Sequence, residues 1–273
     1  MKLLLNASTL ALVATLSPSP AFAQQSTSKV VAASNIDWGY LNPLRGDKSP
    51  GAADLWGNRT TDTATGMLVR FKKGFESPPH IHNITYRGIV IEGKMHNDDP
   101  AAEKMWMPAG SFWTQPAGEN HTTAANGKSN LIYLEIDSGP YLVKPPKELF
   151  DNGERPLNLH KDNIVWLSDS DLDDINVVGV KSTYLWGSTA DMNGSMIKLP
   201  AGFKGEISTE ASEFRAVVIA GAINYNSIEQ NKAQNLSAGS YVESNGRFTH
   251  SLENNRDKPV TIYIRTNSKY QVN

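Results

Sequence analysis

Gly74-Phe-Glu-Ser-Pro-Pro-His80-Ile-His82-Asn-Ile-Thr-Tyr86-Arg-Gly-Ile-Val-Ile-Glu-Gly93 carries two histidines two residues apart, behind a diproline and ahead of a β-branched run. A second stretch, Gly110-Ser-Phe-Trp-Thr-Gln-Pro116-Ala-Gly118-Glu-Asn-His121, ends in a third histidine behind a proline–glycine turn. Residues i and i+2 of a strand share a face, so His80 and His82 are neighbours on one side of a sheet. Pro78 and Pro79 stiffen the approach, and Gly118 permits a tight turn just before His121. If the strand that His121 enters crosses the same barrel, a third imidazole joins the pair. Imidazole nitrogens are good ligands for first-row transition metals, so the three residues read as a metal site. The competing reading of the His-x-His alone is a polar stripe on a solvated strand face.

The chain is written twice. Asn35-Ile36-Asp37-Trp38 is echoed by Asn163-Ile164-Val165-Trp166, Leu55-Trp56-Gly57 by Leu185-Trp186-Gly187, and Gly74-Phe75 by Gly202-Phe203. Gly93, Gly110 and His121 match Gly221, Gly239 and His250 in the same order, with every offset between 128 and 130. Such a period implies two related domains. The reading is an N-terminal domain over 24–145, a turn-rich linker over 146–159 and a C-terminal domain over 160–273.

Met67 to Phe71, Tyr86 to Ile91, Ser111 to Gln115 and Leu131 to Ile136 are short β-branched or aromatic runs between turn formers. Ser195 to Leu199, Phe214 to Ile219 and Val260 to Arg265 repeat the pattern, which predicts an all-β fold in each half. Helical signals are confined to two short stretches, Pro145 to Phe150 and Ser168 to Asp174.

Composition sets bounds. Met1-Lys2, an apolar run from Leu3 to Leu16 and Ala21-Phe22-Ala23 form a secretory leader cut after Ala23, so a periplasmic or secreted location is expected. The mature chain then has a formal charge of −3, which argues against general nucleic-acid or anionic-membrane binding. With no cysteine, thiolate sites, cysteine nucleophiles and iron–sulfur clusters are excluded, and any metal sits among nitrogen and oxygen donors.

Gly74-x5-His80-x-His82-x3-Tyr86-x6-Gly93 and Gly110-x5-Pro116-x-Gly118-x2-His121 resemble the two cupin motifs. With the repeat, the chain is similar to a duplicated cupin, a bicupin, and to an uncharacterised bacterial family of cupin-like proteins. The resemblance implies an antiparallel jelly-roll β-barrel in each half, a divalent transition metal (Fe, Zn, Ni or Mn) in a barrel mouth, and a homodimer. Cupins usually place a glutamate where this chain has Tyr86, so the site is a three-imidazole variant. Neutral ligands leave the metal's positive charge intact, which favours an anionic substrate. Tyr86 is open to phenolate ligation, hydrogen bonding or space filling, with hydrogen bonding the favoured role; an ordinary phenol pKa near ~10 opposes ligation.

Tyr86 and Gln115 are the candidate catalytic residues; Gln115 and Trp113 share a strand face that could enter the barrel. Glu135 could supply the missing carboxylate, from a face it shares with Leu131 and Tyr133. His96 reads as a surface residue in a turn, and His160 as part of the linker. In the second copy the ligand positions become Ser208, Glu210 and Phe214, Pro116 becomes Asn245, and only His250 remains. That copy is a degenerate barrel, with a two-ligand site on Glu210 and His250 as its rival reading. The expected function is a mononuclear metalloenzyme, such as a dioxygenase acting on a small dicarbonyl or related metabolite. The alternative is a non-catalytic barrel that binds zinc or a small ligand.

Overall fold

The computed structural model describes residues 26–187, 191–227 and 232–273; the leader and Ala23 lie outside them. Two seven-stranded antiparallel sheets form the centre. One runs Leu157–Leu159, Phe112–Gln115, Tyr86–Glu92, Asn130–Ile136, Thr65–Phe71, Gly51–Trp56, Gly39–Tyr40. The other runs Thr27–Val31, Tyr241–Asn245, Phe214–Ala220, Val260–Thr266, Asn193–Leu199, Lys181–Gly187, Leu167–Ser168. Smaller sheets complete each jelly-roll barrel, the first including Lys94–Asp98 paired with Thr122–Ala125 and Ile81–His82 paired with Val143–Lys144. The two short helical signals become single 3-10 turns, Pro146–Glu148 and Asp169–Asp171.

The central strands are apolar on both faces, which is why their sequences read as continuous runs rather than alternations. In Asn130–Ile136, Ile132, Leu134 and Ile136 pack inside the first barrel with Met67, Val69 and Trp113. The alternate residue Tyr133 faces the other way, into a cluster with Leu68, Ile89, Phe112, Met196, Val217, Tyr241 and Tyr263. That cluster is the seam between the barrels, two sheets packed face to face as in a β-sandwich. Repeat-related residues meet there: Trp56 donates to the Tyr133 hydroxyl at 3.2 Å, and Trp186 donates to the Tyr263 hydroxyl at 2.9 Å. Arg87 lies over the Trp186 ring and Arg215 over Trp56, at 3.6 and 3.8 Å.

Each large sheet takes an outer strand from a segment outside its own run of strands. Thr27–Val31, assigned to the first domain, pairs with Tyr241–Asn245 in the second sheet. Leu157–Leu159, assigned to the linker, pairs with Phe112–Gln115 in the first. The N-terminal segment thus lends the second sheet an edge strand and the linker lends one to the first, which also covers backbone groups that an open sheet edge would expose.

Candidate metal centre

His80 and His121 are joined through their backbones. His80 N–H donates to the His121 carbonyl at 3.0 Å and His121 N–H returns the bond at 2.9 Å. The Gly118 N–H, in a turn with φ of 77°, donates to the His82 carbonyl and ties the second motif to the first. Gly118 packs so closely on the Phe150 backbone that a Cβ would collide with it. The ring centroids of His80, His82 and His121 are consequently 4.3–5.3 Å apart, and one nitrogen from each falls within 4.8 Å of the others.

Each ring is oriented by a backbone carbonyl. Nδ1 of His80 meets Pro78 at 2.9 Å, that of His82 meets Leu142 at 2.9 Å, and that of His121 meets Glu119 at 3.0 Å. A carbonyl only accepts, so Nδ1 carries the proton and the lone pair left to face a metal or a donor is on Nε2. Burial holds all three imidazoles below their usual basicity, His121 down to about 3, with the neighbouring imidazoles adding to the effect at His82 and His121. They are neutral at physiological pH, the form that binds a metal. The three-imidazole set fits a divalent transition metal, as the motif spacing implies.

Two phenols flank the triad. The Tyr86 hydroxyl lies 3.3 Å from His121 Nε2 and donates to Asn97 Oδ1 at 2.9 Å. Burial raises its pKa, which disfavours a phenolate and supports the hydrogen-bonding role. Tyr141 stacks on His82 with centroids 4.3 Å apart, and its hydroxyl donates to His82 Nε2 at 3.1 Å. Gln115 is buried, accepts from Asn97 Nδ2 at 2.8 Å and donates to the Glu119 carbonyl at 3.3 Å, the carbonyl that also orients His121. Its two hydrogen bonds thus reach Asn97 and the turn that carries His121. Trp113 enters the barrel as its face predicts, and its indole packs against Gly88, where a Cβ would overlap the ring.

Asn97 and Tyr141 are absent from the sequence reading. Met-His-Asn-Asp-Asp-Pro100 looks like a turn, but Lys94–Asp98 is a strand. The same strand buries His96, expected at the surface, against Trp106; it is not part of the triad. Glu135 is corrected as well. Its face points to the seam, where it accepts from Tyr133 at 3.0 Å and Tyr263 at 2.7 Å and faces Arg265 at 3.4 Å. Alternation along its strand turns Leu134 and Ile136 toward the barrel interior instead. His160 uses its ring to cap the turn at Asp162.

The second barrel does not assemble the rival Glu210–His250 site. Glu210 is exposed and paired with Arg247. His250 is buried between the Tyr225 hydroxyl and Ser244 Oγ, each at 3.0 Å, with Phe214 stacked on its ring. It is a satisfied core histidine.

His80 and His82 line a cavity of about 300 Å³, together with Val69, Phe71, Phe75, Ile132, Leu134 and Tyr141. That is near the lower end of small-molecule pockets, roughly 300–1,000 Å³.

The fold is that of a double cupin barrel, and the triad is a candidate metal site in its first half. The family model of DUF4437, a domain of unknown function, matches residues 29–273, and the chain belongs to that family. A comparison with curated proteins finds no match. Among solved structures it is similar to a Nostoc punctiforme protein provisionally assigned as a dioxygenase (14% identity, 88% of this chain and 82% of that one, TM-score 0.68). It is also similar to the oxalate decarboxylase of Lactobacillus farciminis (13% identity, 89% and 87%, TM-score 0.56). A third is salicylate 1,2-dioxygenase of Pseudoaminobacter salicylatoxidans with gentisate (12% identity, 90% and 83%, TM-score 0.57). At these identities the likeness establishes the fold.

Proposed function

We propose that the protein is an exported mononuclear metalloenzyme, a dioxygenase acting on a small dicarbonyl or phenolic metabolite. The observation that carries this reading is the convergence of three neutral, carbonyl-anchored imidazoles, two of which line an apolar cavity. A divalent metal held there supplies Lewis-acid polarisation and, as iron, oxygen chemistry. The chain's own groups do the rest. His80, His82 and His121 hold fixed tautomers, the apolar walls exclude water, and the Tyr86 hydroxyl holds a proton within reach of the triad, positioned by Asn97. Tyr141 hydrogen-bonds to His82 Nε2, so it must release that nitrogen when a metal takes it. The dioxygenases among the similar folds agree with the reading.

Export rests on the leader ending at Ala23; cutting there keeps Thr27–Val31, the strand the second sheet needs. Among the described residues no helix is long and apolar enough to cross a membrane. A homodimer remains part of the proposal by resemblance alone. The deciding experiment is elemental analysis of protein purified from the periplasm, followed by oxygen uptake over diketones and phenolic acids after iron loading. One iron per chain with substrate-dependent uptake is expected. Tightly held zinc without turnover would replace the enzyme with a binding protein, and less than about a tenth of an equivalent after reconstitution would overturn both.

A further inference from the structure

The cavity states what its ligand looks like. Its lining contains no aspartate, glutamate or lysine, and Arg45 is its one cationic side chain among the described residues. Arg45 is an exposed residue that lines the cavity from the turn Pro43–Lys48. Among the described residues its guanidinium has neither an ion pair nor a hydrogen bond. Arg59, by contrast, pairs with a carboxylate, and Arg87, Arg215 and Arg265 do so while also lying over tryptophan rings.

The turn that presents Arg45 is pinned at several points. Asn42 Oδ1 accepts from Leu44 N–H at 3.0 Å, Asn42 N–H donates to Ser49 Oγ at 2.9 Å, and Ser49 N–H closes on the Gly46 carbonyl at 3.0 Å. Lys72 Nζ ties the Asp47 carbonyl to the barrel at 3.1 Å. Gly46, at φ of 52° and ψ of −133°, makes the bend that follows Arg45. An unpaired guanidinium on a braced turn, over an apolar cavity without a carboxylate, is a recognition group without its anion. Guanidinium matches carboxylate through two parallel hydrogen bonds.

We propose that Arg45 binds the carboxylate of a small, largely apolar monocarboxylic acid. The acid's body lies against Phe71, Phe75 and Val69, and its oxygen donors at the far end reach the imidazole triad. The far-end contact rests on the metalloenzyme reading; the carboxylate contact does not. The ligand class is thus narrower than a dicarbonyl: an acid whose carboxylate is remote from the oxygens that face the metal.

The test compares 3,4-dihydroxyphenylacetate with the neutral 4-methylcatechol, using calorimetry and tryptophan fluorescence on the full chain. Zinc-loaded and metal-free samples are both titrated, zinc being used to prevent turnover. The wild type should bind the acid about 10–100-fold more tightly, the range expected for a charge-assisted contact. Arg45→Gln should remove that preference and leave 4-methylcatechol affinity and zinc content unchanged. Arg45→Lys should keep part of it, less than the bidentate group provides. Arg45 is exposed, so folding should be unaffected, and circular dichroism checks this. Unchanged acid preference in Arg45→Gln overturns the proposal, as does failure of the wild type to bind either probe. If only the metal reading fails, the Arg45-dependent preference persists in both samples while zinc adds nothing to 4-methylcatechol binding.

Discussion

Replacing Glu135 separates a structural carboxylate from a metal ligand. Its side chain is 1% exposed and accepts hydrogen bonds from two buried tyrosine hydroxyls, Tyr133 and Tyr263, while facing Arg265, itself 4% exposed. In Glu135→Leu both hydroxyls lose an acceptor and Arg265 keeps only Asp137, a half-exposed partner at 2.8 Å. Removing one partner of a buried pair costs about 3–5 kcal/mol, because the remaining charge is stranded. At roughly 2–4 °C per kcal/mol for a chain of this size, the melting temperature should fall by about 6–20 °C. Adding Arg265→Met should recover much of the loss, since the stranded charge goes with it. Thermal and urea unfolding followed by circular dichroism measure the effect, and metal content is measured on the same samples. The single variant should hold as much metal per folded chain as the wild type. A loss below about 1 kcal/mol, or a folded variant that no longer holds metal, would refute the placement of Glu135 in the seam as a structural group.

Other outcomes follow from the triad and its neighbours. His121→Ala should lose stoichiometric metal while His250→Ala keeps it, by elemental analysis; the reverse pattern would move the site to the second barrel. The folded His121 pKa of about 3 lies below its unfolded value near ~6.5, so between them only the unfolded chain takes the proton. The metal-free protein should therefore lose stability as pH falls through that window, with His80, His82 and His250 acting in the same direction. In His121→Gln the slope of the urea midpoint against pH should be shallower, and an unchanged slope would remove His121 from the linkage. Tyr86→Phe should retain metal but lower turnover of any identified substrate by about 10–100-fold, the low end for a positioned proton donor; complete metal loss would make Tyr86 a ligand instead.

The triad was legible because its signals are local. Strand periodicity puts His80 and His82 on one face, and the proline–glycine turn places His121. The barrels were legible because Ile132, Tyr133 and Leu134 in one copy and Ile262, Tyr263 and Ile264 in the other are all buried, giving runs of apolar residues in both. Tyr141 was not, since it reaches His82 only when Val143–Lys144 pairs with Ile81–His82, a tertiary event that leaves no mark on the intervening sequence. Asn97 was hidden by turn-forming neighbours, whose preferences the pairing with Thr122–Ala125 overrides. Glu135 misled because alternation specifies that a strand has two faces without saying which of them looks inward.

The edge strand that Thr27–Val31 lends to the second sheet also orders events in time. Thr27 leaves the ribosome early, yet its partner Asn245 is made 218 residues later. The second sheet gains its edge strand only once nearly the whole chain exists, and contacts of such sequence separation form slowly. In a protein exported as proposed, this delay has a use: the segment next to the leader stays unpaired, and so threadable, until its partner has emerged.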